Sequence, residues 1–415
     1  MKIYPSTWRV LPLLLLLSAC AATPAPKPAP PRVCPPCPVC PPAPAPAPTP
    51  APPPSLRPVA WSRLPDWPGD RPAAAWPALL QSCDALRSRA EWAEVCRLAG
   101  EMDGFSDAAV AQFFQAQFAP YQVINGDGTT TGLVTGYYEP IIAGDDHPTA
   151  RARYPLYATP DNLLVVDLAG VYPELKHLRL RGRLVGSKVV PYYSRAQIAD
   201  DSGGFAAPVL AWADNAVDLF FLQIQGSGWV RFPDGQKIHL GYAEQNGYPY
   251  RAIGRVLAER GEMPLSQVSM QNIKRWGEAH PEKLPELLNS NPSYVFFKRL
   301  PDDIPGPYGA LGVPLTPERS IAVDARYLPL GAPVYLATTQ PLSDAPLQRL
   351  VLAQDTGGAI RGGVRADYFW GTGKQAGEQA GRMKQAGQMW VLLPKDYPPP
   401  TPAAAGAAAK VLARD

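Results

Sequence analysis

Three aspartates, Asp324, Asp355 and Asp367, carry the clearest chemical signal in the chain. Asp324 and Asp355 each follow an apolar run, Ile321-Ala-Val and Val351-Leu-Ala-Gln, which places both where a strand leaves a sheet. Asp367 stands before Tyr368, Phe369 and Trp370, and this stretch reads as a loop. A carboxyl group among aromatic rings is partly desolvated, which lifts its pKa from the usual ~3.9 and keeps it available as a proton donor. Cleavage of a glycosidic bond needs such an acid, and aromatic faces suit sugar rings. The competing reading is local: Asp355-Thr-Gly-Gly is also the pattern of a turn whose carboxylate caps the next N–H groups of the chain. Asp-Thr-Gly is shared with aspartic proteases, but their site needs two copies and the chain has one.

A second set of residues is neutral or weakly polar. Tyr137, Tyr138 and Glu139 sit in Thr135-Gly-Tyr-Tyr-Glu-Pro140, and Gln223, Gln225, Gly226 and Ser227 sit in Leu222-Gln-Ile-Gln-Gly-Ser-Gly228. With Gln245 and Asn246 they suit a groove that hydrogen-bonds acetamides and hydroxyls. Ser227 lacks the Gly-x-Ser-x-Gly frame of a nucleophile elbow, so Gly-Ser-Gly reads as a turn. The four histidines are isolated and no His-Glu-x-x-His occurs, which argues against a zinc hydrolase; neither phosphate-cradling nor dinucleotide spacing is present. The sequence calls for no metal and no cofactor.

The elements that must position these groups are set by periodicity. Residues 75–86, 89–98 and 106–118 read as helices, the last with Ser106 as N-cap before Val110, Phe113, Phe114 and Phe118. Beyond Tyr121 short β-like runs alternate with Gly, Pro and Asp: 132–138, 163–167, 209–212, 217–224, 321–323, 334–337, 350–354 and 388–393. Strands this short and frequent point to a mainly β fold with barrels and some α, and not to a doubly wound sheet. A helical interlude over 250–260 and 266–288 interrupts them. Cys83 and Cys96 fall on two adjacent helices and are expected to form a disulfide in an oxidising compartment.

The chain has 415 residues, room for about two domains plus accessories. Its formal charge of +3 and the lack of a dense Lys/Arg run speak against nucleic acid. Lys2 and Arg9 precede the apolar run Leu11–Leu17, too short to span a bilayer but sized for a signal peptide over residues 1–19. Leu17-Ser-Ala-Cys20 resembles a lipobox, so Cys20 is the expected lipidation site; Ala21 in place of Asp favours the outer membrane, with the protein facing the periplasm. From Pro24 to Pro54, 17 of 31 residues are proline, so residues 20–59 read as a stiff polyproline spacer able to reach roughly 100 Å. Cys34, Cys37 and Cys40 lie within it with no evident scaffold. Residues 397–415 read as a loose Pro/Ala tail.

At these motifs the chain resembles the membrane-bound lytic murein transglycosylase A family (MltA). The matching stretches are 135–140, 222–228, Gly241-Tyr-Ala-Glu-Gln-Asn-Gly-Tyr-Pro-Tyr250 and Asn291-Pro-Ser-Tyr-Val-Phe-Phe297, followed by a "3D" segment named for three aspartates, here Asp324, Asp355 and Asp367. The resemblance implies a double-psi β-barrel, over about 60–140 and 295–396, interrupted by a smaller β-rich domain over about 141–294, with the glycan groove between them. It implies a carbon–oxygen lyase that cleaves the β-1,4 bond between N-acetylmuramic acid and N-acetylglucosamine in peptidoglycan and leaves 1,6-anhydro ends; exo and endo action both stay open. Asp367 becomes the expected catalytic acid and Asp355 the second aspartate of the site. Tyr137, Tyr138, Glu139, Gln223, Gln225, Gly226, Ser227 and Asp324 become the expected substrate-binding set, with Asp324 also suited to ordering loops. Arg361, Arg365, Lys374, Arg382 and Lys384 flank the acid segment, and murein carries peptide carboxylates. Expected partners are peptidoglycan strands, the outer membrane through the anchor, and cell-wall synthesis complexes. Two rival readings remain: a polysaccharide hydrolase with two aspartates and water, and a non-catalytic, expansin-like wall-binding module.

Overall fold

The short apolar runs pair chiefly into two large sheets, each of which curls back on itself, while Leu164–Val165, Arg181–Val185 and Lys188–Pro191 form a third, three-stranded sheet. In the first, of this computed structural model, the strands Lys384–Pro394, Pro333–Thr339, Pro346–Asp355, Ser320–Val323, Arg365–Thr372 and Gly132–Glu139 are hydrogen-bonded in that order. Gly132–Glu139 pairs again with Lys384–Pro394, so the six form a closed ring, and the strands Phe118–Ile124 and Ser55–Pro58 extend it outward. Closure removes the exposed sheet edge. Two of the pairings are parallel, Ser320–Val323 with Pro346–Asp355 and Arg365–Thr372 with Gly132–Glu139. The structure describes residues 55–398 except Asp70, 103–105, 176–177 and 201–202, all within one compact unit. The expected signal peptide, Cys20, the cysteines of the spacer and nearly all of the tail lie outside the described residues.

The barrel core is packed by Val134, Ile321, Val334, Leu350, Leu352 and Val391, all fully buried. Three N-terminal helices, Trp76–Leu86, Ala90–Glu101 and Asp107–Gln117, bury Trp76, Leu79, Trp92 and Phe114 in the same core. Ser106 caps the third helix by accepting from the Ala109 N–H at 3.1 Å. Cys83 and Cys96 are disulfide-bonded across the first two.

The chain leaves the barrel at Glu139-Pro140 and enters a second sheet, ordered Val295–Arg299, Lys237–Gln245, Gly228–Arg231, Ile141–Asp145, Val209–Ala213 and Tyr154–Tyr157. A parallel bridge between Ala158 and Phe297 ties its two edge strands together. Here the reading of 217–224 as a strand is corrected, because Ala216–Gln225 is a helix. Its apolar run lacks a polar face because the helix is wedged between two cores: Leu219 and Leu222 face the sheet, while Val217 and Phe220 pack with the helices Ile253–Glu259, Met270–Ala279 and Leu284–Asn289. Asn215 caps it, accepting from the Val217 and Asp218 N–H groups. A run buried on both sides looks alike in strand and helix.

Candidate active site

Asp367 is in a strand, Arg365–Thr372, and not in the loop that its aromatic neighbours suggested. Ala322 lies opposite Asp367 on one side and opposite Asp355 on the other. The two aspartates therefore share one row of the barrel, with a single small residue between their strands. Beneath them Tyr137, Leu315, Ala322, Ile360 and Phe369 form an apolar floor.

The two carboxyl groups have different partners. Asp367 Oδ1 accepts from the Thr135 hydroxyl at 2.5 Å, and the same hydroxyl accepts from Arg365 Nη2 at 2.9 Å. Burial pushes the Asp367 pKa up, outweighing the Thr135 hydrogen bond and the Arg365 charge, both of which favour the ionised form. Asp355 accepts from the Tyr137 hydroxyl at 3.1 Å and the Ala310 N–H at 2.9 Å, and the Thr356 N–H also favours its carboxylate. Burial still lifts the Asp355 pKa. Tyr137 is held neutral by the same burial, reinforced by the charges of Asp355 and Asp367. Asp355 is thus rich in donors while Asp367 has one, so of the two it is Asp355 whose ionised form is better supported by hydrogen bonds.

A groove of about 670 Å³ opens beside this row. Tyr137, Tyr308 and Asp355 line it from the barrel; Gln223, Gln225, Gly226, Ser227 and Tyr242 line it from the second sheet and its helix. Asp367 is half-buried and does not itself line the cavity. Gln225 and Gly226 end the helix Ala216–Gln225, and Gly226 adopts φ of 84°, a left-handed cap that glycine takes without strain. The Gln225 side chain accepts from the Tyr138 N–H at 3.0 Å and so ties helix to barrel strand.

Three expected substrate ligands are placed elsewhere. Glu139 is buried and paired with His239 Nε2 at 2.7 Å and the Thr372 hydroxyl at 3.0 Å, where it braces the crossing from barrel to second sheet. Tyr138 is buried, its hydroxyl directed to Met270 Sδ. Asp324 is buried, its carboxylate taken by Arg326 (Nε 2.9 Å, Nη2 2.6 Å) and by the Gly362 N–H at 2.9 Å. Burial alone would raise the Asp324 pKa, but these donors hold it below the ordinary value. Asp324 therefore anchors the loop between Asp355 and Asp367. Thr135 was not among the expected site residues, although it opens the Thr-Gly-Tyr-Tyr-Glu-Pro motif; its position opposite Asp367 depends on pairing of distant strands.

The MltA specific insert domain family matches residues 133–298, and the 3D domain family matches residues 319–393. The chain is 35% identical over 287 residues to "Membrane-bound lytic murein transglycosylase A" of Escherichia coli K12, covering 66% of this chain and 68% of that protein. It is 33% identical over 303 residues to the protein of that name from Vibrio cholerae, covering 71% and 74%. Among solved structures, MltA from Neisseria gonorrhoeae superposes with a TM-score of 0.74 at 39% identity, covering 83% of this chain and 94% of that one. Escherichia coli MltA with bound chitohexaose superposes with a TM-score of 0.60 at 30% identity, covering 82% and 94%.

Proposed function

This chain belongs to the membrane-bound lytic murein transglycosylase A family and is a murein-cleaving lyase, and we propose that Asp367 is the side chain that moves the proton. The observation that carries this is the shared row: Asp367, over an apolar floor with one hydroxyl partner, lies across Ala322 from a donor-rich Asp355.

Protonated Asp367 donates to the glycosidic oxygen as its bond to C1 of the muramic acid breaks, and the bonding pair leaves with that oxygen. Positive charge builds on C1 and the ring oxygen, where ionised Asp355 stabilises it through space. The 6-hydroxyl of the same sugar attacks C1 and gives its proton to the Asp367 carboxylate, which restores the acid. The product is a 1,6-anhydro ring, and water is not consumed. An internal hydroxyl has a large effective concentration, so no protein nucleophile is required. Gln225 and Tyr137 line the path of the strand. A relative was solved with chitohexaose bound, and the groove here is the place for an equivalent glycan.

No described helix is long and apolar enough to cross a membrane. Attachment through a lipid on Cys20, with the polyproline spacer carrying the barrel toward the wall from the outer membrane, is the reading that Leu-Ser-Ala-Cys supports.

The test is mass spectrometry of products from purified murein sacculi. Wild-type protein is expected to release muropeptides lighter by one water than the hydrated forms, and Asp367→Asn to release none. Reducing-end products would replace this mechanism with hydrolysis and make Asp355 a base.

A further inference from the structure

Arg195 is 7% exposed, yet among the described residues no carboxylate lies within ion-pair distance of it. Its guanidinium is sandwiched between the rings of Phe220, 4.7 Å away, and Tyr294, 4.9 Å away. Nη2 donates to the Ser293 carbonyl at 2.7 Å, and Nε has no partner. Beside the same Tyr294, the amide of Gln223 is 4% exposed and has no well-formed hydrogen bond of its own. A buried cation without a counter-charge and a buried amide left short of well-formed hydrogen bonds are costly to fold. Both line the groove, so a ligand that enters it can compensate both.

The charge of the lining agrees. Arg179, Arg195 and Lys298 face the groove against one carboxylate, Asp355. Arg195 also borders a second cavity of about 430 Å³, walled by Leu219, Leu284 and Leu288 with Arg153 and no carboxylate. Burial pulls the guanidinium down to about 10, so it stays charged at neutral pH.

We propose that Arg195, with Gln223, forms an anion subsite that holds a carboxylate carried on the lactyl arm of a muramyl residue, with the second cavity giving room to the rest of that arm. This rests on the reading of the groove as a murein site and adds to it a charge preference that a neutral chitin oligomer cannot satisfy. Two sources share the chemistry: the free lactyl carboxylate of a stripped strand, and a carboxylate of the attached peptide.

The test measures binding to the full chain carrying Asp367→Asn, with strand integrity followed by mass spectrometry so that turnover is seen if it persists. Soluble murein strands are compared with the same strands after their carboxylates are capped as methylamides, and chitohexaose is the neutral probe. Native strands are expected to bind roughly 10- to 100-fold tighter than capped ones, the worth of a charge-assisted contact. Adding Arg195→Gln is expected to collapse that ratio to about one, with chitohexaose binding reporting that the variant is folded. Equal binding of native and capped strands overturns the subsite, as does a ratio that survives Arg195→Gln, which would assign the preference to Arg179 or Lys298. If the variant does not fold, the capping comparison on the unaltered Arg195 decides alone. Peptide-stripped strands identify the source: retained affinity assigns the lactyl carboxylate, and affinity reduced to the capped level assigns the peptide. Loss of murein cleavage in the wild-type protein would overturn the catalytic reading while leaving these binding ratios interpretable.

Discussion

The Thr135 hydroxyl lies 2.5 Å from Asp367 Oδ1, although 232 positions separate the two residues in the chain. Parallel pairing of Gly132–Glu139 with Arg365–Thr372 puts them directly opposite each other. The hydroxyl also accepts from Arg365, so it stands between the acid and the nearest cation. Its donation favours the ionised form of Asp367 and restrains a pKa that burial raises.

Thr135→Val removes that donor. The Asp367 pKa is expected to rise further, moving the alkaline limb of the kcat/KM profile to higher pH, with Thr135→Ser restoring the wild-type limb. A rate loss with an unmoved limb would assign Thr135 a packing role only.

Protonation of Asp367 couples to stability. A carboxyl whose folded pKa is raised binds its proton more tightly in the native state, so stability falls as pH climbs from the unfolded value of about 3.9 through the raised folded one. Asp367→Asn lacks this loss. Its Tm is expected to equal or exceed that of wild type at pH 7, and any advantage should vanish below about pH 4. A variant less stable at pH 7 than at pH 4, relative to wild type, would contradict the direction of the shift.

Asp324 has the opposite sign. Its folded pKa is depressed, so its contribution is present above about pH 4 and is lost as pH falls through the folded value. Asp324→Ala leaves the Gly362 N–H without its acceptor and Arg326 without its partner, at a cost of about 1–3 kcal/mol at pH 7. Urea denaturation at pH 7 and pH 3 measures this, and hydrogen exchange should show faster opening over 356–364. An equal cost at both pH values would show that the charge is not what holds the loop.

The Cys83–Cys96 disulfide closes a short loop between two helices whose residues reach the barrel core. In the chain-entropy view a loop of this size is worth about 3 kcal/mol. Cys83→Ser with Cys96→Ser is expected to lower the urea midpoint accordingly while leaving murein cleavage by the folded fraction intact. A midpoint indifferent to both substitutions would show that packing of Trp76, Leu79 and Trp92 holds these helices unaided.

Much of the β architecture was legible because strand residues carry their own signature. The runs at 132–138, 209–212, 334–337 and 388–393 all lie within strands. The 217–224 run misled for a physical reason: a helix buried between two cores shows no polar stripe, so its period is hidden. Asp367 misled in the other direction. Arg365, Asp367 and Trp370 are only half-buried and Thr372 is exposed in a strand whose other residues are buried, and the mixture of charge, aromatic and glycine resembled a loop.

The site divides along the same line. The sequence by itself determined which chemistries were available: three aspartates, and glutamine, tyrosine and glycine motifs suited to a neutral sugar. Those are properties of side chains and survive without a fold. Only the tertiary structure decided which carboxyl sits among several donors and which has one, that Asp324 is locked by Arg326, that Glu139 braces a crossing, and that Arg195 has no counter-charge among the described residues. Desolvation and partnership depend on neighbours brought from far along the chain, as Tyr137 is to Asp355 across 218 positions, and no local pattern encodes them.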